Sequence, residues 1–162
     1  MPDLSSMAAS IAEMLKARGE TVAVCESSCG GLISAALVSI PGASNYFLGG
    51  AVSYTQASRE GLIKITDQDM EGMRASTEPY ARLNAQRIRG HLGATWALCE
   101  TGASGPTGNR YGDSAGHACF AVVGPVERSV TLETGDSDRE GNMWVFTKAA
   151  LELLESCIKE SG

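Results

Sequence analysis

Apolar and polar positions follow two different periods along this chain. Leu4, Met7, Ala8, Ile11, Met14 and Leu15 recur at helical spacing, which predicts an amphipathic helix over 3–18 ended by Gly19. Residues 21–25 form a short apolar run and read as a strand. The run stops at Glu26-Ser27-Ser28-Cys29-Gly30-Gly31, and helical spacing resumes from Leu32 to about Ile40, where Pro41-Gly42 ends it. Residues 46–54 read as a strand weakened by Gly49 and Gly50, and 55–64 as a short helix. Thr77 and Pro79 open a helix over 79–91. Residues 95–99 form a buried strand, and the small residues from Glu100 to Gly108 predict a loop. Two more strands, 117–123 and 128–133, pair antiparallel across a turn at Gly124-Pro125. The last helix covers 139–159.

This order predicts an α/β fold: a three-layer α/β/α sandwich around a mixed β-sheet, as a single domain over 1–162. The polar segments 26–31 and 100–108 both follow strands. Ligands of open α/β sheets collect beyond the carboxyl ends of strands, so both segments are expected at one crevice.

Composition narrows the function classes. At 43% hydrophobic, the 162 residues can bury a substantial core. A net charge of -6, without interleaved basic and aromatic residues, argues against a nucleic-acid binder but leaves room for a nucleotide site. No run of about eighteen apolar residues predicts a membrane span, and the N-terminus lacks a basic start with an apolar signal core. Of five cysteines, Cys25, Cys99 and Cys119 read as small core residues of strands and Cys157 as a helix residue. Reduced thiols and a cytoplasmic location are expected. Two histidines far apart give no zinc pattern, so no metal is expected.

The turn after the first strand carries a carboxylate (Glu26), two hydroxyls (Ser27, Ser28) and a thiol (Cys29), where helix-start N–H groups collect. It is expected to hold an anionic ligand and to present Ser27 as a nucleophile, which then needs a base. Cys29 is the second candidate nucleophile. The plainer reading has Ser27 and Ser28 capping the helix while Gly30 and Gly31 close the turn. Tyr54 and Arg59 either flank an anion or are a half-buried strand residue and a solvated helix charge. The loop Thr101-Gly102-Ala103-Ser104-Gly105-Pro106-Thr107-Gly108 allows close backbone approach to a ligand, although it has no P-loop lysine.

Taken in order, Glu26-Ser27-x-Cys29-Gly30-Gly31, Pro41-Gly42-x-Ser44-x-x-Phe47, Tyr54, Arg59, Ser76-Thr77-Glu78, Thr101-Gly102-x-x-Gly105-Pro106, Gly116, Gly135-Asp136 and Arg139 resemble the CinA C-terminal domain family. The resemblance covers about residues 4–158. It implies a nicotinamide-nucleotide amidase, which hydrolyses the carboxamide of nicotinamide mononucleotide to nicotinate mononucleotide and ammonia without metal or organic cofactor. By position it implies catalytic roles for Ser27, Ser44, Tyr54 and Arg59. Substrate binding falls to Glu26, Cys29, Gly30, Gly31, Thr101, Gly102, Gly105 and Arg139. A homodimer or larger homo-oligomer is implied, and an N-terminal companion domain of longer members has no counterpart in these 162 residues.

The chain departs from the family pattern at several of these positions. Arg59 stands where the family has a lysine; an arginine stays protonated and cannot serve as a base. Cys29 replaces a threonine, Gln56 an asparagine, and Ala103-Ser104 an Ile-Ala pair. Asn109 to Asp113 replaces a longer loop, and Met143 falls where many members carry a second arginine. Two readings follow: an amidohydrolase using another base, or a catalytically silent homologue that binds a nucleotide or a protein partner.

Overall fold

A computed structural model describes residues 3–162. Five strands form one mixed sheet in the order β2-β1-β3-β4-β5. β1 (Val22–Glu26) lies between β2 (Phe47–Val52) and β3 (Trp96–Ala103), parallel to both. β4 (His117–Val123) and β5 (Arg128–Glu133) continue the sheet antiparallel. One face is covered by α1 (Leu4–Arg18), α2 (Leu32–Val38) and α5 (Arg139–Ser161), the other by α3 (Gln56–Ile63) and α4 (Glu78–Leu92). The three-layer α/β/α expectation holds.

The two cores differ because the strand faces differ. Val22, Val24, Trp96, Leu98 and Phe120 point to the α1/α2/α5 side and meet Ile11, Leu15, Leu37, Phe146 and Leu154. Ala23, Cys25, Ala97, Cys99 and Ala121 point the other way, where small side chains let α4 lie close through Ala81, Ala85 and Ile88. The edge-to-face pair Phe120–Phe146, with ring centroids 6.3 Å apart, adds about 0.5–1.5 kcal/mol beyond its buried area. The three strand cysteines are core residues, as their apolar settings predict.

Helix ends follow the expected chemistry. Gly19 and Gly93 adopt left-handed caps, and the Thr77 side chain accepts the Tyr80 N–H to start α4. α2 ends earlier than the sequence suggests, at Val38, and a single 3-10 turn over Ala43–Asn45 precedes β2.

The larger correction concerns β3. Glu100 to Ala103, expected as loop, continue the strand by pairing with Phe120, Cys119, Ala118 and His117 of β4. Tertiary pairing overrides local composition here. Gly102 is required by that pairing, since a Cβ would come within 2.5 Å of the His117 carbonyl oxygen. The β1–β3 ladder ends at Cys25–Cys99. β3 therefore overhangs β1, and one backbone edge of Glu100 to Ala103 borders the space beyond β1. β1 feeds α2 on one face and β2 feeds α3 on the other, so a crevice opens between their carboxyl ends.

Candidate functional site

That crevice holds two adjoining cavities. The first, about 310 Å3, is lined by Ser27, Ser53, Tyr54, Arg59, Tyr80, Thr101, Gly102 and Arg110 among others. The second, about 210 Å3, is lined by Ser28, Tyr54, Gly102 to Gly105, Asn109 and Arg139. Tyr54 and Gly102 belong to both walls. Ser27, Tyr54, Arg59, Thr101, Gly102, Gly105 and Arg139, far apart in sequence, thus line adjoining walls.

The Arg139 guanidinium ties this cleft together. It donates to the Gly105 carbonyl at 2.5 Å and to the Tyr54 hydroxyl at 2.9 Å. Arg59, on α3, has a long ion pair with exposed Asp67 at 3.6 Å, and its Nε is buried with no partner among the described residues. The Ser53 hydroxyl, in the same wall, is likewise buried and unpartnered. Burial pushes the Tyr80 phenol above its ordinary pKa, against a downward pull from Arg59. Arg59, Arg110 and Arg139 give an acidic chain a locally cationic cleft.

The turn itself differs from expectation. Its N–H groups do not await a ligand, because two buried carboxylates already hold them. Glu26 accepts the N–H groups of Gly31 (2.8 Å), Ile33 (3.1 Å) and Ser34 (2.9 Å), and the Ser34 hydroxyl (2.8 Å). Glu100, reaching over from β3, accepts the Ser27 and Cys29 N–H groups, both at 2.9 Å, and the Ser28 hydroxyl. Glu26 is thus a cap of α2, not a ligand contact. Cys29 is wholly buried in the larger core, and burial followed by the Glu100 charge pushes its thiol well above the ordinary range. Neither a nucleophile nor a substrate contact fits that position. Gly30 and Gly31 adopt positive φ (66° and 109°) and serve to close the turn.

Ser44 sits on the exposed 3-10 turn before β2. Because β2 runs parallel to β1, that turn lies at the opposite end of the strands from Ser27. The structure does not bring Ser44 to the cleft.

Residues missed from sequence include Ser28 as a cavity residue, Ser53, Ser76, Tyr80, Glu100 and Arg110. Glu100 carried a signal: an acid directly after an apolar strand is rarely buried unless paired. Burial raises its pKa, with the Glu26 charge in the same direction, while the Ser28, Cys29 and Ser27 hydrogen bonds pull it down. Ser76 links the cleft to a second cluster. Its N–H donates to the Thr101 hydroxyl at 3.2 Å, and its carbonyl accepts from His117 Nε2 at 2.8 Å.

Comparison with known proteins identifies the family of the chain. Residues 4–158 match the family described as the CinA C-terminal domain. A CinA-like protein from Gloeobacter violaceus is 36% identical over 156 residues, which are 94% of this chain and 36% of that protein. One from Sulfurihydrogenibium sp. is 32% identical over 144 residues, 89% of this chain and 36% of that protein. The chain thus spans about a third of the length of these curated relatives. Among solved structures, the competence/damage inducible protein CihA from Agrobacterium tumefaciens superposes with a TM-score of 0.88 at 24% identity, covering 97% of this chain and 96% of that one. A competence-damaged protein (CinA) superfamily protein from Klebsiella pneumoniae gives 0.90 at 21% identity, covering 98% and 99%. These structures speak for the fold, and the curated relatives and the matched residues speak for descent: the chain belongs to the CinA C-terminal domain family.

Proposed function

We propose that this protein hydrolyses the carboxamide of a nicotinamide nucleotide, giving the carboxylic acid and ammonia. The observation that carries the reading is the shared cleft, in which Ser27, Tyr54, Arg59 and Thr101 line one cavity and Arg139 with Gly105 the adjoining one. A hydroxyl of the turn attacks the amide carbon. The three arginines offer charge-assisted hydrogen bonds to a phosphate. The Arg59 Nε and the Ser53 hydroxyl lie buried behind the same cavity wall without a hydrogen-bond partner. Arg59 binds or polarises but accepts no proton. The homo-oligomer implied by the family is part of the proposal, and sedimentation measures it.

The test is ammonia release from nicotinamide mononucleotide, with the Ser27→Ala/Ser28→Ala double variant as control. Turnover that disappears in the double variant supports the enzyme. A second reading, a silent nucleotide-binding homologue, is favoured by the arginine at the position of the family's lysine. Calorimetric binding of the nucleotide with no ammonia released would establish it.

A further inference from the structure

The amidase reading leaves one chemical gap: the cavity that Ser27 lines has no carboxylate, imidazole or amine in its wall among the described residues, and Arg59 cannot act as a base. The residue beside Ser27 has one. The Ser28 hydroxyl donates to Glu100 Oε1, while Glu100 Oε2 is held by the Ser27 and Cys29 N–H groups, both at 2.9 Å. Ser28 is also a wall residue of the cavity that contains Tyr54, Gly102 and Arg139. From this geometry we infer that Ser28 is the nucleophile of the cleft and Glu100 its general base. The inference rests on the amidase reading for its substrate, though not for the reactivity of the pair.

The pair has the features such a role needs. Glu100 is fixed at both ends of its carboxylate, so Oε1 stays aimed at the Ser28 hydroxyl without conformational search. Burial, with Glu26 as the charged group acting from neighbouring β1, makes its carboxylate more basic than an exposed one. The Tyr54 hydroxyl and the Arg139 guanidinium, 2.9 Å apart, share the cavity with Ser28 and can stabilise negative charge on a carbonyl oxygen. The N–H groups of Ser27 and Cys29 cannot, since Glu100 occupies them.

The reaction balances with water alone. Ser28 Oγ bonds to the amide carbon as its proton passes to Glu100. The C–N bond then breaks, and Glu100 returns that proton to the departing nitrogen, releasing ammonia. Water attacks the resulting ester and gives one proton to Glu100. The ester C–O bond breaks, and Glu100 restores the proton to Ser28. The sum is amide plus water to carboxylic acid plus ammonia.

The test treats the whole protein with an alkyl fluorophosphonate, which phosphonylates activated serine hydroxyls with loss of fluoride, and locates the adduct by peptide mass spectrometry. The adduct is expected on Ser28 and slowed about 100-fold or more in Glu100→Gln. In the parent protein the labelling rate is expected to rise with pH along a single ionisation. That readout holds even if Glu100→Gln fails to fold by circular dichroism. An adduct on Ser27, or none on either serine, overturns the inference. Ammonia release that survives Ser28→Ala also overturns it while leaving the amidase reading intact. Labelling of Ser28 without ammonia release upholds the pair and removes the substrate.

Discussion

Glu26 and Glu100 follow the last paired residues, Cys25 and Cys99, on neighbouring strands, and they divide the donors of one turn between them. Both carboxylates are buried. A helix start that would attract an anion from outside is neutralised from within. The cationic character of the cleft therefore comes from arginine side chains on α3, α5 and the loop after β3.

Removing the cap tests this division. Glu26→Ala leaves the Gly31, Ile33 and Ser34 N–H groups without their acceptor. It is expected to lower stability by about 1–3 kcal/mol, read as a lower midpoint in urea. Glu26→Gln, which keeps one acceptor oxygen, should cost less than Glu26→Ala.

Glu100 makes stability depend on pH with a definite sign. Its folded pKa is raised, so between the ordinary glutamate value and the folded one the native state binds more protons than the unfolded chain. Stability contributed by this group falls as pH rises through that window. Urea titrations of the parent and Glu100→Gln across the window should converge at its acid end and separate toward its basic end.

His117 gives a second pH dependence. Burial lowers its pKa, but Glu133 on Nδ1 at 2.5 Å, the Ser76 carbonyl on Nε2 and Asp113 outweigh that effect and raise it overall. Both ring nitrogens face acceptors, so the imidazolium is the favoured form. Cys119, 3.7 Å from Nε2, and Arg74, paired with Asp113 at 2.8 Å, complete its charged and titratable surroundings. The stability it contributes is complete below its unfolded pKa of about 6.5 and is lost as pH rises through the folded value. Proton resonances of the two histidines read this directly: one imidazole should titrate above 6.5, and that signal should vanish in His117→Gln.

Secondary structure was legible where local chemistry decides it. Gly19, Thr77-Pro79 and Gly124-Pro125 mark boundaries by backbone preference alone, and β4 and β5 fall on their expected residues. The extension of β3 was hidden because its cause is a partner strand. So was the role of Glu100, whose acceptors serve residues more than seventy positions away. Ser44 and Cys29 show the converse. A motif position states which residues recur together, not which ones reach the crevice. Only the direction of β2 and the depth of the core separate these two from Ser27.

Gly102→Ala probes the overhanging part of β3. The added methyl would meet the His117 carbonyl at 2.5 Å and the Ala118 Cα at 2.9 Å, both backbone atoms that cannot swing aside. A loss of about 1–3 kcal/mol is expected, seen as a lower thermal midpoint; under the proposed function, nicotinamide mononucleotide should also bind more weakly, because Gly102 is shared by both cavities.

Arg139→Ala tests the proposed phosphate contact. It removes the donors to Gly105 and Tyr54 and, with them, about 1.5–3 kcal/mol of charge-assisted bonding to a ligand. Calorimetry should show nicotinamide mononucleotide binding weakened by about tenfold to a hundredfold, with the urea midpoint changed far less.

Because β3 projects past its neighbour, the floor of the cleft is made by a strand whose register is locked on its far side by β4. The segment after Ala103 is pinned in turn to the start of α5, by Asn142 at the Ser104 carbonyl and by Arg139 at the Gly105 carbonyl, so the mouth of the cleft can shift only if that helix start shifts with it.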